Sequence, residues 1–572
     1  MAFDGIVTKQ IVTELQSCLL NGKINKIYEP NKNEILIGIY ANGHNYALDI
    51  DISSNYYRLH ITTYSKPNPT NAPNFCMVLR KHVIGYRITD IVMDGLERIV
   101  TISLEGFNEL NDRTHKTLII ELMGKHSNIL LLNENHRIID SIRHLDQSTG
   151  SYRDILPARP YVEPNSDKQD FLTISYSDFE TSFAPNISLS KQFCEHFTGI
   201  SPTFIKVCLD TLQIQDSQYT NADLKKLYTY IKEILSKLGT SAVSCSLVQN
   251  GADYTIKLQP HTDTLLQTNF FLDDFYHLKQ TDDLLKQYRN DLLRFVLAAL
   301  KKVNKKIYHI HQKLQECYNM DTYRIYGELL TSNLYQIDNH ARLESITLED
   351  YYHNNQPITI PLDASISPSY NAKKYFKKYN KLKNTLAIVS TQKEEAQKEL
   401  DYLESVVYEL ESVTQISEID DIYQEISENI LLKPNKKTVS VKKNKVDKRK
   451  TQDTYEPLVY QVNGFDLYVG KNNKQNDYLT TKLGKNEDLW FHTKDIRGSH
   501  ALLKCNGMAT SIDQDTICTC AQITAFHSKA KLSSQVPVDY CFVKHVKKPS
   551  GSKPGMVIYT NYKTVYVDPQ EH

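Results

Sequence analysis

The sequence predicts a multi-domain α+β protein in which two long helices separate an N-terminal from a C-terminal globular part. Three observations carry this. The chain has 572 residues, several times the usual domain of about 100–200. Two stretches, 285–317 and 372–410, repeat apolar residues every three or four positions over more turns than an ordinary globular helix has. Strand-like alternation flanks them on both sides, within 23–145 and 455–569.

From the N-terminus, Ile11, Leu15, Cys18 and Leu19 share one helical face, after which "KINKIYEP" and "NEILIGIYANG" alternate as strands ended by Pro30 and Gly43. Further strands are predicted at 98–104, 116–124 and 127–145, the last a hairpin turning at Asn133 to Asn135. Residues 172–240 change to helical spacing, with "TGISPTFI" (198–205) as the turn between two helices. The first long seam is Leu285, Tyr288, Leu292, Val296, Ala299, Val303, Ile307, Ile310, Leu314 and Cys317. The second is Ala372, Tyr375, Tyr379, Leu382, Leu386, Val389, Lys393, Ala396, Leu400, Leu403, Val407 and Leu410. Similar lengths and a separation of about fifty residues read as a long antiparallel coiled-coil hairpin with a tip insert at 320–370; two core helices of a compact bundle are the alternative. At ~1.5 Å per residue each arm would span roughly 55–60 Å. "KPNKKTVSVKKNKVDKRK" (433–450), with nine Lys and Arg against one Asp, reads as a solvated linker or as an electrostatic tether to nucleic acid. Beyond it, strand-like segments surround one helical stretch, "DQDTICTCAQITAFHSKA", as in a compact α+β domain.

Composition narrows the function classes. No stretch approaches the ~18 apolar residues of a membrane span, and "MAFDGIVTKQIV" lacks a signal-peptide pattern, so no membrane and a cytoplasmic location are expected. Ten cysteines without a C-x-x-C pair read as reduced thiols, and neither a metal site nor a cofactor is expected. The net charge of zero conceals an asymmetry. Residues 433–572 hold 23 Lys and Arg against 13 Asp and Glu, a surplus of 10, so residues 1–432 carry −10. The C-terminal quarter is the polyanion-facing end.

Candidate nucleic-acid contacts follow from chemistry. "DLWFHTKDIRGSH" (488–500) holds the only tryptophan. Trp490 reads as a strand anchor with Leu489 and Phe491 inward, while His492, Lys494, Asp495, Arg497, Gly498, Ser499 and His500 supply a polar, cationic face to RNA. "VGKNNKQNDYLT" (469–480), with Lys471 and Lys474 among four amides, is a second contact. "MGKHSN" (123–128) reads as a polar turn between apolar strands, or as three donors, Lys125, His126 and Asn128, offered from one loop. Arg98 reads as a surface arginine beside a strand, or as a bidentate phosphate or base contact.

"FDGIVTKQI" (3–11), "GKINKIYEPNKNEI" (22–35), "FCMVLRKH" (75–82), "ELMGKHSNILLL" (121–132), "YGELLTSNLY" (326–335) and "DLWFHTKDIRGSH" together resemble, in this order, the NFACT family. The resemblance implies a glycosylase-like NFACT-N domain at 1–171 with a return segment at 241–282, and a helix-hairpin-helix region at 172–240. It further implies a coiled coil with its tip insert at 283–432, a basic linker at 433–454 and an NFACT-R domain at 455–572. The implied function is ribosome-associated quality control. Similar proteins bind a large (50S) subunit still blocked by peptidyl-tRNA, recruit alanyl-tRNA and, with a small S4-domain partner, promote untemplated alanine tails on the nascent chain. The peptide-bond chemistry would be the ribosome's, so the chain is expected to recruit and clamp, not to catalyse. An Asp-Arg pair recruits tRNA in such relatives; here "GLERIV" supplies Glu97 and Arg98, with the carboxylate one methylene further out. Two other functions attach to the resemblance. A surface fibronectin-binding adhesin would need an export signal and an anchor, neither of which is read here. A DNA glycosylase would need an N-terminal proline nucleophile and zinc ligands, where this chain begins Met-Ala-Phe-Asp.

Overall fold

Asp4 starts the first helix because its carboxylate accepts the otherwise unpaired amides of Ile6 and Val7, at 3.1 and 3.0 Å. The helix, α1 (Gly5–Leu19), then buries Ile6, Val7, Ile11, Leu15 and Leu19. A computed structural model describes residues 3–108, 111–146, 153–240, 243–248, 253–258, 266–338, 340, 342–429, 456–505, 507 and 512–571. They divide into two units, Met1–Gln280 and Thr281–His572. The basic tract 433–450 lies outside the described residues.

In the first unit, α1 is followed by β1 (Lys23–Asn31), β2 (Glu34–Ala41), β3 (His44–Asp51), β4 (Arg58–Ile61), α2 (Asn74–Val83), β5 (Arg87–Met93), β6 (Ile99–Phe107), β7 (Arg113–Glu121), β8 (Asn128–Asn133) and β9 (Ile138–Ser141). The strands form one antiparallel sheet in the order β4-β3-β2-β1-β5-β6-β7-β8-β9, two meanders joined where Lys23 pairs with Arg87. β8 is apolar without alternation because both its faces are covered: Ile129 and Leu131 join the main core, while Leu130 and Leu132 join Ile119, Ile138 and Ile155 on the other side. Helices α3 (Tyr176–Thr181), α4 (Leu189–His196), α5 (Pro202–Leu212) and α6 (Asn221–Ser236) follow. They gather around Phe171, Phe179, Phe193 and Phe197, whose rings lie 5.2–5.9 Å apart. A hairpin of β10 (Val243–Val248) and β11 (Asp253–Leu258) leads to α7 (Gln267–Tyr318). Glu14, on α1, accepts the Thr268 and Asn269 amides at 3.1 and 3.0 Å, so the first long helix is rooted in this unit. It thus begins 18 residues before the seam that starts at Leu285, and its first turns bury Leu272 and Tyr276.

The second unit holds the rest of α7, then α8 (Met320–Ser332), the β12 (Ser345–Asp350) and β13 (Gln356–Pro361) hairpin, α9 (Pro368–Ser412) and α10 (Ile416–Asn429). Lys306 pairs with Glu399 at 3.4 Å and Cys317 Sγ faces the Leu382 carbonyl at 3.6 Å, so α7 ascends as α9 descends. Where a two-helix seam is predicted to 432, α10 folds back as a third member: Ile419, Ile422 and Ile426 close over Val296, Val303, Tyr402, Val406 and Leu410. Next come β14 (Leu458–Val462), β15 (Phe465–Val469), α11 (Asn473–Tyr478), β16 (Leu489–Thr493), β17 (Ala501–Leu503), α12 (Gln514–Phe526), β18 (Val536–Phe542), β19 (Val546–Lys547), β20 (Ile558–Tyr559) and β21 (Lys563–Val567). Six of these strands form a sheet ordered β14-β15-β17-β16-β18-β21. α12 covers the face bearing Leu489 and Phe491, and α11 with the turn after it covers the face bearing Trp490 and Leu502. Among the described residues no helix is long and apolar enough to cross a membrane.

Candidate nucleic-acid interface

Three of the sequence stretches meet at one point of the first unit. Asp4, having capped α1, also accepts the Ser201 hydroxyl at 2.6 Å, and Ser201 in turn caps α5 through the Phe204 amide. The backbones are pressed together. A Cβ on Gly5 would lie 2.2 Å from the Leu96 carbonyl oxygen, and one on Gly199, whose φ is +67°, only 2.0 Å from the same atom. "FDGIV", "GLERIV" and "TGISP" are therefore locked at the residue preceding Glu97 and Arg98.

Arg98 is half-buried. Its Nη1 donates to the Tyr57 hydroxyl at 3.1 Å, its guanidinium lies 5.6 Å from the Tyr57 ring centroid, and its carbonyl accepts the Leu122 amide at 2.9 Å. Among the described residues no carboxylate forms an ion pair with it. Glu97, also half-buried, donates its amide to the Asp94 carbonyl at 3.1 Å and makes no salt bridge to its neighbour. Burial pushes the Asp4 carboxyl above its ordinary pKa, although the Ser201 bond, the capped amides and nearby Arg98 all pull it down.

From Leu122, bonded to Arg98, the chain runs directly into the "GKHSN" turn. Gly124 (φ +62°) turns the backbone and Ser127 Oγ accepts the Met123 amide at 2.8 Å. Lys125 and His126 are exposed, at the same end of the sheet as Arg98. Asn128 is not available to a ligand, which corrects the reading of three donors. It is buried, its Nδ2 donates to the Arg143 carbonyl, and its Oδ1 accepts the Ile129 and Arg143 amides, at 2.9, 2.9 and 3.1 Å. Arg143, which no motif marked, holds the turn in place. It donates to the Lys125 and Ser127 carbonyls on one side, and to Asn33 Oδ1 and the Ile52 carbonyl on the other. Below it, Glu121 is fully buried and held by Arg153 through two bonds of 2.8 Å.

The C-terminal candidates are placed differently. Trp490 is 0% exposed, as an anchor should be, but His492 and His500 lie against it, at ring separations of 5.7 and 5.0 Å. Burial pushes His492 down to about 4 and His500 down to about 3, so neither is a cation at neutral pH. His500 shares a hydrogen bond with Thr480 and donates its amide to Asn476 Oδ1, which ties it to the helix covering this face. The expected cationic face loses three further members. Arg497 pairs with Glu404 and, at 3.3 Å, with Asp401; Lys471 pairs with Glu418 at 3.3 Å and Lys474 with Glu428 at 3.5 Å. All four acids stand on α9, α10 or the turn between them. Gly498 and Ser499 follow the end of α12: a Cβ on Gly498 would sit 2.7 Å from Ser528 Cβ, and the Ser499 amide donates to the His527 carbonyl at 2.9 Å. Asp495 is exposed in a left-handed turn (φ +54°), and Lys494 lies over the Tyr562 ring at 5.1 Å. The pairing acids are distant in sequence, which is why the segment read alone appeared free.

One cationic region was missed although the sequence displays it. Residues 364–393 contain seven lysines and no Asp or Glu, and all seven, from Lys373 to Lys393, are exposed along the first half of α9. Among the described residues no group of His, Cys, Asp and Glu could hold a metal ion.

Comparison with known proteins agrees with this layout. Residues 4–446 match the NFACT N-terminal and middle domains, and residues 457–561 match the NFACT protein RNA binding domain. The Rqc2 homolog RqcH of Bacillus subtilis is 37% identical over 582 aligned residues, covering 100% of this chain and 98% of that one. Its namesake from Streptococcus pneumoniae serotype 2 is 33% identical, covering 100% and 98%. A solved structure of the N-terminal part of the fibronectin/fibrinogen-binding protein from Streptococcus suis is 28% identical, with a TM-score of 0.40 over 48% of this chain and 99% of that one. With one match running from Asp4 through both long helices and a second covering the C-terminal sheet up to its edge strand β21, the chain belongs to the NFACT family.

Proposed function

We propose that the chain is a ribosome-associated quality control factor. It binds the large (50S) subunit obstructed by peptidyl-tRNA, recruits a tRNA, alanyl-tRNA in this reading, and supports untemplated alanine tailing together with a small S4-domain partner. It works in the cytoplasm as recruiter and clamp while the ribosome forms the peptide bonds. The helices α7 and α9 act as a coiled-coil arm with the α8–β13 segment at its tip. The observation that carries the proposal is the end of the N-terminal sheet. There Arg98, held on Tyr57 and without a carboxylate ion pair among the described residues, is bonded through its backbone to the strand leading into exposed Lys125 and His126, a donor set suited to phosphate and base edges. The lysine-rich half of α9 supports an RNA partner at a second place.

The test is to recover the protein from cells with stalled translation and sequence the RNA that comes with it. Large-subunit rRNA plus one enriched tRNA is expected; ribosome-free fractions alone would sink the proposal. Arg98→Ala should lower tRNA occupancy about ten- to a hundred-fold, through the ~1.5–3 kcal/mol of one charge-assisted contact, and leave subunit binding intact. Glu97→Asp should preserve tailing if only the carboxylate matters.

A further inference from the structure

The C-terminal sheet carries a second cationic surface, away from the helices that occupy Lys471, Lys474 and Arg497. Residues 540–567 contain five lysines and no Asp or Glu. Three of the five are used internally, Lys548 by Asp477, Lys553 over the Tyr402 ring at 5.4 Å and Lys544 over the Phe542 ring at 5.1 Å. Lys547 and Lys563 are exposed and, among the described residues, have no ion-pair partner. Tyr562 and Tyr566 are 44% and 65% exposed, and Lys563 lies between them in sequence on the opposite face of the strand.

Register explains why these rings are open. β21 is the edge strand, pairing only with β18, through Pro537↔Tyr566 and Asp539↔Thr564. Alternation therefore puts Tyr562, Thr564 and Tyr566 on the Trp490 face, beyond the part that α11 covers. That backbone is well fastened: Asp539, 1% exposed, accepts the Thr564 hydroxyl at 2.6 Å and the Tyr559 hydroxyl at 3.0 Å. Lys494 lies over Tyr562, and the β19–β20 hairpin, which pairs Lys547 with Ile558, leads straight into Tyr562. Two exposed aromatic rings on a rigid sheet, within an acid-free run of lysines, match what unpaired RNA needs: faces for bases to stack on and cations for the intervening phosphates. A duplex, its bases already stacked, could use only the lysines.

We propose that Tyr562, Tyr566 and Lys494, with Lys547, bind unpaired RNA, the tyrosines stacking on bases and the lysines contacting phosphates. The inference rests on the reading of this chain as an RNA-binding factor and adds the place and the form of RNA that the C-terminal domain takes. A ribosomal RNA loop and an unpaired segment of tRNA offer the same chemistry.

The test uses the full chain and a fluorescent single-stranded oligouridine of about 12 nucleotides, with a blunt RNA duplex of matching length as control. Tyr562→Ala and Tyr566→Ala should each weaken oligouridine binding about ten-fold and leave duplex binding unchanged, while Tyr562→Phe and Tyr566→Phe retain wild-type affinity. Replacing Lys494 and Lys547 by Gln should lower the slope of log affinity against log salt by about 1.4. Trp490 emission checks that the sheet is intact in each variant. Competition by purified large-subunit RNA or by tRNA identifies the natural source. If the tyrosine double variant binds as wild type does, or if Lys471→Gln with Lys474→Gln removes the binding instead, the surface is wrong while the RNA reading stands. A wild-type chain that binds neither probe, large-subunit RNA nor tRNA would sink both.

Discussion

The two halves of α9 and its continuation form the sharpest contrast in the molecule. Residues 364–393 carry seven lysines and no acid; residues 394–428 carry twelve Asp and Glu and one lysine. The acidic half faces the C-terminal sheet, supplying Asp401, Glu404, Glu418 and Glu428 to Arg497, Lys471 and Lys474. Among the described residues, the lysines of the basic half form one ion pair, Lys374 with Asp363. A chain of zero net charge has thus sorted its cations by partner. Lys471 and Lys474 answer to carboxylates of the same chain, whereas the lysines of the first half of α9, Lys374 apart, have no ion-pair partner among the described residues.

The largest effect should come from erasing that difference. Full-length protein with seven phosphate contacts should lose about a thousand-fold in affinity for large-subunit RNA between 50 and 200 mM salt. Changing the seven lysines of 364–393 to Gln should remove most of that salt dependence, as measured by filter binding. Should the slope survive, the basic half is only a solvated surface and the contrast has no functional meaning.

Acidity tests the dry side of the contrast. His492 and His500, depressed to about 4 and about 3 by burial, stay neutral when folded, whereas in the unfolded chain they take up protons below about 6.5. The stability they contribute is therefore fully present above pH 6.5 and is lost as pH falls through the window down to about 3. Urea unfolding followed by the emission of Trp490, the only tryptophan, should show about 2–4 kcal/mol less stability at pH 5 than at pH 7. A pH-independent midpoint would mean that the histidines are solvated, and would reopen them as RNA contacts.

A smaller effect of opposite sign lies where the acidic helices meet the sheet. Glu425, 0% exposed, is raised to about 7 by burial, against the opposing hydrogen bond from Asn473 Nδ2 at 3.2 Å. Glu409 beside it is raised well above the carboxylate range by burial and by Glu425. Folding keeps a proton that the unfolded chain releases, so this contribution is present below about pH 4.5 and is lost as pH rises to about 7. Glu425→Gln should make the second unit about 1–3 kcal/mol more stable than wild type at pH 8, with no difference near pH 4.5. Equal stability at both values would show that Glu425 keeps its charge in the fold.

What the sequence made legible follows from range. The seams at 285–317 and 372–410 and the strands before 145 are local periodicities, and each lies on an element of the expected type. Trp490 as an anchor was equally local. The fates of Arg497 and Lys471 were not, because they depend on residues far away in the chain, Glu404 and Glu418; those of His492 and Asn128 depend on neighbouring elements beyond their own strands, the helix covering Trp490 for the first and Arg143 for the second. A polar residue on an alternating strand reads as exposed when only its own strand is considered. Around Trp490 this sheet is covered on both faces, so the polar positions there are satisfied from within. The lysine-rich half of α9 was hidden for another reason: lysines fill the outer positions of any long helix, and the telling feature was the missing acids.

The smallest effect discriminates most finely. Arg497 pairs with Asp401 and Glu404 across partly exposed surface, where such bridges contribute less than about 1 kcal/mol because water screens them and two side chains must be held. Arg497→Ala should therefore shift the urea midpoint only slightly and leave RNA affinity within about two-fold. Two results could break this expectation in opposite directions. A ten-fold loss of RNA binding would mean that RNA displaces Asp401 and Glu404 and takes Arg497 from them, so the acidic half would be a competitor for RNA and no permanent seat. A ten-fold gain would mean that the pair holds back neighbouring cations, and that freeing the acidic half exposes Lys471 and Lys474 as well. An unchanged affinity, alongside the steep salt dependence of the basic half, is what two regions with separate partners require.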